Sequence, residues 1–361
     1  MTETANVPNL RFEGFTEPWE ERKLGEMLQT LPFKPFLKEP EQGGKYEIIQ
    51  QGNNPVIGYA NGIPCCDYKD TVIFGDHTLS LYKPERPFFV ATDGVRIVKG
   101  KQNINGFFLL ALLERYKPQN EGYKRYYGIL SDTECLIIND AVEQQQIGVF
   151  FRRLDTLINL HQRNHERLKH LKQAMLQKMF PKPGEPVPEL RFKGFTEPWE
   201  ERKLGEMLQT LPFKPFLKEP EQGGKYEIIQ QGNNPVIGYA NGIPCCDYKD
   251  TVIFGDHTLS LYKPERPFFV ATDGVRIVKG KQNINGFFLL ALLERYKPQN
   301  EGYKRYYGIL SDTECLIIND AVEQQQIGVF FRRLDTLINL HQRNHERLKH
   351  LKQAMLQKMF V

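Results

Sequence analysis

Three stretches of this chain carry residue types that chemistry on a nucleobase or a phosphate would use, and each lacks a part. Asn54-Pro55-Val56-Ile57 approaches the Asn/Asp-Pro-Pro-aromatic motif of base methylation. It has neither the second proline nor the ring that stacks an extruded base. Gly94 to Gln102 (GVRIVKGKQ) approaches a phosphate-cradling G-x-x-x-x-G-K-[ST] loop. It is one residue too long and ends in Gln where a hydroxyl would meet Mg²⁺, so it reads as a strand and turn. Glu21-Arg22-Lys23 supplies a Glu-x-Lys, but no aspartate precedes it to complete a metal-binding nuclease centre. His161 and His165, one helical turn apart, could ligate a metal; as polar residues in a helical seam they serve better to set register. No catalytic residue, metal or cofactor is expected.

Binding groups are better represented. Gln50, Gln51, Asn53 and Asn54 form an amide cluster around Gly52, and amides suit bidentate contact with adenine. Lys124, Arg125 and Tyr126 lie in a run that interleaves cations with aromatics, and Lys99 and Lys101 bracket a turn. Cations of this kind suit phosphate, which positions a duplex without reading it. The same residues recur as Gln230, Gln231, Asn233, Asn234, Lys279, Lys281, Lys304, Arg305 and Tyr306. Turn-capping amides and a solvated strand edge are the plainer alternatives.

These groups need a scaffold, and the chain supplies it twice. Gly14 to Phe180 recur without a change as Gly194 to Phe360. That period is far longer than a solenoid repeat of roughly 20–50 residues, so each copy is domain-sized. Pro181 to Pro188 (PKPGEPVP) separates them as a short Pro-rich joint, expected to stay extended. The net charge of +4, from 48 basic and 44 acidic residues, does not by itself announce nucleic acid. Three cysteines per copy (Cys65, Cys66, Cys135) show no CxxC pairing and read as unbridged thiols. The longest apolar run, Phe107 to Leu113, is too short to cross a bilayer. With no basic-then-apolar leader at the N-terminus, a cytoplasmic location is the default.

Within a copy, short β-like runs fall at Tyr46–Ile49, Thr71–Phe74, Thr78–Tyr82, Phe88–Ala91, Val95–Lys99, Arg125–Leu130 and Cys135–Ile138, punctuated by Gly and Asn turns. Gly106 to Lys117 is apolar and unbranched and predicts a helix on the sheet. Asp140 with Glu143 forms a capping box. From there to Phe180 there is no proline and only Gly148, with apolar residues at Ile147, Phe150, Leu154, Leu157, Leu168, Leu171 and Met175. Spacing by threes and fours predicts a helical seam, interrupted at His161 and Asn164. Such a rod would be roughly 55 Å long at about 1.5 Å per residue, and the other copy is its natural partner. The short joint makes the two helices antiparallel. The expected fold is α+β: two globular heads joined by long helices in an antiparallel coiled-coil spacer, with pseudo-twofold symmetry. The expected segments are head 1 (1–142), helix 1 (143–180), joint (181–188), head 2 (189–322) and helix 2 (323–361).

Four stretches, LRFEGFTEPWEERKLGEM, FGDHTLSLYKPERPFFVATDGVRIVK, GYKRYYGILSD and LDTLINLHQRNHERLKHLKQAMLQKMF, closely resemble the DNA-specificity subunit of type I restriction-modification systems. The order of target recognition domain then spacer helix, twice, is that of the family. The family's Pro-rich approach to the helix (P-L-P-P-x-x-E-Q) is replaced here by Ile-Ile-Asn-Asp-Ala-Val-Glu-Gln over 137–144, with the final Glu-Gln kept. The resemblance implies a non-enzymatic subunit that reads a bipartite site in double-stranded DNA. It would hold adenine methyltransferase subunits and join restriction translocase–nuclease subunits. Family members usually carry two different heads; here they are identical, so the expected target is an interrupted palindrome. Arg152, Arg153, Arg163, Arg167, Lys169 and Lys172 would form a basic helix face for the methyltransferase subunits. A scaffold or decoy that binds those subunits without reading DNA is the competing expectation; a self-sufficient nuclease or methyltransferase is disfavoured by the incomplete motifs.

Overall fold

A computed structural model describes residues 6–102, 104–282 and 284–360. The chain divides into two units: Met1–Gln162 with Arg343–Val361, and the continuous stretch Arg163–Gln342. Each unit therefore combines one head with a segment of both long helices. The boundary differs from a division into head and spacer because each head is built directly onto helix segments.

In the first unit, strand β1 (Glu20–Lys23) leads through a helical turn, α1 (Leu24–Met27), to β2 (Leu28–Leu31). Next come β3 (Tyr46–Ile49), β4 (Val56–Ala60), β5 (Thr71–Gly75), β6 (Leu81–Tyr82), β7 (Phe88–Val90) and β8 (Val95–Gly100). Helices α2 (Gly106–Tyr116) and α3 (Tyr127–Asp132), strand β9 (Glu134–Ile137) and the long helix α4 (Ala141–Lys178) complete the copy. One sheet runs β2-β8-β5-β6, a second runs β4-β3-β7, and β1 pairs with β9. All five β5 residues are buried, as a strand covered on both faces requires. Helix α2 starts where the Asn105 side chain accepts from the N–H groups of Phe107 and Phe108. It stops at Lys117, before Pro118.

Two expected strands are not strands. Of Thr78–Tyr82 only Leu81 and Tyr82 pair, because the N–H groups of Thr78 and Leu79 both turn back to the Gly75 carbonyl. Leu79 takes a left-handed conformation there, with φ 57°. Arg125–Leu130 mostly falls in helix α3, whose first N–H groups are taken up by Asp76: its carbonyl accepts from Tyr126 and its carboxylate from Tyr127. A capping acid distant in sequence overrides the β-like run of aromatics.

Helix α4 opens as the capping box predicts on one side only. Asp140 accepts from the N–H groups of Val142 and Glu143 at 2.8 and 2.9 Å. Glu143 does not reach back; it is fully buried and pairs in fork geometry with Arg11 at 2.7 and 2.8 Å. Arg11→Ala should therefore destabilise the first unit by about 3–5 kcal/mol, because it strands a buried carboxylate. Urea unfolding of the variant checks this, and a change within experimental error would contradict it. Gln144 donates to the Ile138 carbonyl and accepts from the Asn105 N–H. The retained Glu-Gln pair thus ties the helix to the chain start and to α2.

Ile147, Phe151, Leu154 and Ile158 are the buried apolar side chains of α4 in this unit. The first three join a core that also holds Leu356, Met359 and Phe360 from the second long helix, Ala321–Met359 and its end. The two segments run antiparallel: His345 contacts the Ile158 carbonyl at 3.2 Å, and about two turns further along its helix Lys352 meets Asp155 at 2.6 Å. The second unit pairs its segments the same way, His165 with the Ile338 carbonyl and Lys172 with Asp335. Leu157 and Leu171, expected in the seam, are instead 43% and 41% exposed. The other five expected positions hold: Ile147 and Leu154 are buried, and Phe150, Leu168 and Met175 pack against the cores. Among the described residues no helix is long and apolar enough to cross a membrane, and no cluster of metal-ligating side chains forms.

The Pro-rich joint is not extended. Glu185 N–H closes a turn on the Lys182 carbonyl around Gly184, and the Leu190 N–H caps back to the Lys178 carbonyl at 2.8 Å.

Candidate nucleic-acid interface

Two of the polar stretches singled out in the sequence meet around a third residue, His77. The Gln51 side-chain oxygen accepts from the His77 N–H at 3.1 Å, and His77 Nδ1 lies 3.1 Å from the Lys124 carbonyl. The Gln51 loop (after β3) and the Lys124 loop (before α3) are thus bridged through the turn that follows β5. Two glycines make room for Gln51: a Cβ at Gly94 would displace the Gln51 amide, and one at Gly75 would crowd the Gln51 Cβ. Asn53 and Asn54 are exposed, and Gln50 donates to the Asn54 carbonyl at 3.0 Å. The second unit repeats this with Gln231, His257 and Lys304. Asn233 and Asn234 are exposed beside it, and Gln230 donates to the Asn234 carbonyl.

The cations divide. Lys124 pairs with Glu121 at 2.5 Å, which raises the pKa of the lysine and lowers that of the acid. Arg125 lies 3.5 Å from the buried Asp76 and 3.8 Å from Asp93, with its side chain 56% exposed. Lys304 and Arg305 match them. Both pairs stand at the edge of the bridged loops. Lys99 and Lys101 do not join them. Lys99 lies roughly 17 Å along β8 from Gly94 at ~3.3 Å per residue and pairs with Asp67 at 2.7 Å. Lys101 donates to the Gly25 and Glu26 carbonyls. Lys279 and Lys281 behave alike.

Tyr126 and Tyr306 cannot be contact residues, since both are fully buried. The Tyr126 hydroxyl accepts from the Glu121 N–H at 2.7 Å and donates to the Gly122 carbonyl at 2.8 Å. It fastens the loop from beneath. The aromatic that faces solvent is Tyr123, which composition alone did not separate from its neighbours, and His77 was missed because it stands alone in the sequence. Lys172, expected on an outer basic face, is instead held between Glu294 and Asp335, with its side chain only 12% exposed.

Other reactive side chains are put to structural use. Burial pushes the Cys135 thiol up to about 12, which removes it as a nucleophile at neutral pH. Cys65 is also buried, whereas Cys66 is exposed, and none of the six cysteines is bridged. Lys83, buried at one wall of a cleft of about 560 Å³, donates to the Tyr68 and Pro84 carbonyls. Desolvation lowers its pKa from 10.5 to about 8. The unfolded chain then holds this proton more tightly, so this lysine makes stability rise between pH ~8 and ~10.5. Lys83→Met with Lys263→Met should flatten that rise in urea midpoints relative to wild type; parallel curves would show that the lysines do not titrate in that window.

The family model for the type I restriction modification DNA specificity domain matches residues 16–170 and again 196–350. This chain belongs to that family. It is built as two tandem specificity domains, each a mixed α+β head with a long helix. Among solved structures, the S subunit of a type I restriction-modification system from M. genitalium is similar in fold, with a TM-score of 0.71 at 16% identity. That similarity covers 98% of this chain and 99% of the other. The HsdS subunit from Thermoanaerobacter tengcongensis aligns at 16% identity with a TM-score of 0.40, over 96% and 98% of the two chains. No curated protein sequence matches.

Proposed function

We propose that this chain is the sequence-reading, non-catalytic subunit of a type I restriction-modification complex, acting in the cytoplasm. Each head reads one half of an interrupted palindrome in double-stranded DNA, adenine methyltransferase subunits dock on the spacer helices, and translocase–nuclease subunits complete the assembly. The observation that carries this reading is the convergence of the Gln51 and Lys124 loops on His77. It joins amides able to read base edges to cations able to hold phosphate on one exposed surface.

The docking role is supported by leucines left outside the core. Leu157 and Leu160 are exposed on one face of α4 with Arg153, and Leu337 and Leu340 with Arg333. An apolar strip flanked by arginines suits a stable protein interface. Leu157→Asp with Leu337→Asp should leave the fold intact and abolish co-elution with methyltransferase subunits; retained co-elution would move the docking site elsewhere.

Filter binding at two salt concentrations, with and without methyltransferase subunits, tests the function itself. DNA retention that weakens steeply with salt is expected, since phosphate contacts release counterions. Assembly with the partner subunits but no DNA retention under any of these conditions would favour the scaffold.

A further inference from the structure

Tyr123 is 88% exposed, yet its ring has a packing partner. It stacks on His77 with ring centroids 4.6 Å apart and planes 5° from parallel. The imidazole beneath is held by Nδ1 to the Lys124 carbonyl, and the His77 backbone N–H donates to the Gln51 side-chain oxygen. The loop below is clamped by the buried Tyr126 hydroxyl and turns at Gly122 with φ 100°. The second unit builds the same stack from His257 and Tyr303, at 4.6 Å and 7°. A large ring left in water on a pre-organised mount has already lost the freedom that binding would otherwise remove. One of its faces is covered by imidazole and the other is open.

A flat, open aromatic face beside Lys124 and Arg125 suits one chemical class: a planar base on an anionic strand. Bases in an intact duplex already stack on each other and offer no face. Methylation of a base requires that it leave the stack, which opens one. We propose that Tyr123 and Tyr303 are base-stacking residues, each receiving on its outer face a base unstacked within its half-site. This rests on the DNA-reading role proposed above and adds to it a contact indifferent to base identity. The amides would select the sequence, and the tyrosine would hold the opened form.

The test uses the full chain and two fluorescent probes of the same sequence: an intact duplex, and a duplex with a single unpaired nucleotide. Wild type should prefer the second. Tyr123→Ala with Tyr303→Ala should lose about fivefold or more in affinity for the interrupted duplex, the usual loss on removing one base–aromatic stack. Affinity for the intact duplex should hold. Tyr123→Phe with Tyr303→Phe should retain the preference, because the ring and not the hydroxyl makes the contact. If the alanine pair binds both probes as wild type does, or loses both equally, stacking is overturned while DNA reading stands. If wild type binds neither probe, alone or with methyltransferase subunits, both fall together.

Discussion

Sequencing the methylated positions in cells that carry this chain with an adenine methyltransferase subunit should return an interrupted palindrome. The two heads are identical from Gly14 and Gly194 onward, so both must prefer the same half-site. Within each unit the helix segments run antiparallel, as the His345–Ile158 and His165–Ile338 contacts require. If each head reads one half-site, as proposed, identical heads on oppositely directed helices would read the same bases on opposite strands, the two-fold relation that duplex DNA itself has. Parallel helices would give a direct repeat instead. The outcome can be scored without knowing the half-site: the second half is either the reverse complement of the first or it is not. A direct repeat would remove the antiparallel arrangement from the mechanism, and two unrelated halves would remove independent reading by the heads.

The features that could be read from sequence are those that repeat or are local. The duplication, the α4 start at Asp140 and the α2 apolar run all depend on neighbours in the chain, and all three appear in the structure where expected. The seam of α4 was legible at five of its seven positions, Leu157 and Leu171 being the exceptions. Leu157 is as apolar as Ile158, and only the fit against the partner segment, where His345 meets the Ile158 carbonyl, separates the exposed residue from the buried one. The candidate surface was legible in two of its loops and illegible in what joins them. Nothing marks His77 until β5 delivers it between Gln51 and Lys124. Adjacent tyrosines take opposite fates for the same reason: Tyr126 is drawn inside to satisfy the backbone of its own loop, and Tyr123 is left above it. Lys99 and Lys101 show the converse, since two cations that look available in sequence are taken up by an acid and two carbonyls.

The sharpest consequence of the fold concerns two fragments with nearly the same residues and different connectivity. Phe360 packs against Trp19, Phe108 and Phe151 in the first unit, with centroids 5.6, 5.8 and 6.0 Å away. Phe180 packs against Trp199, Phe288 and Phe331 in the second. The second unit is continuous in sequence, so the fragment Arg163–Gln342 carries its own Leu176, Met179 and Phe180. The first unit borrows the equivalent Leu356, Met359 and Phe360 from the far end of the chain. It also borrows Lys352, which pairs with both Glu114 and Asp155. Losing one buried phenylalanine typically costs about 3–5 kcal/mol, and losing a buried leucine or methionine about 2–5 kcal/mol each. Together these approach or exceed the roughly 5–15 kcal/mol that holds a whole domain. Arg163–Gln342 should therefore fold alone with a cooperative transition, while Met1–Gln162 should expose its core and bind a hydrophobic dye. A peptide spanning 343–361, added in excess, should fold Met1–Gln162 by mass action. Amide-proton spectra of each fragment, with and without the peptide, read the result directly. If Met1–Gln162 folds as stably as its counterpart and ignores the peptide, the helix end is not part of that core.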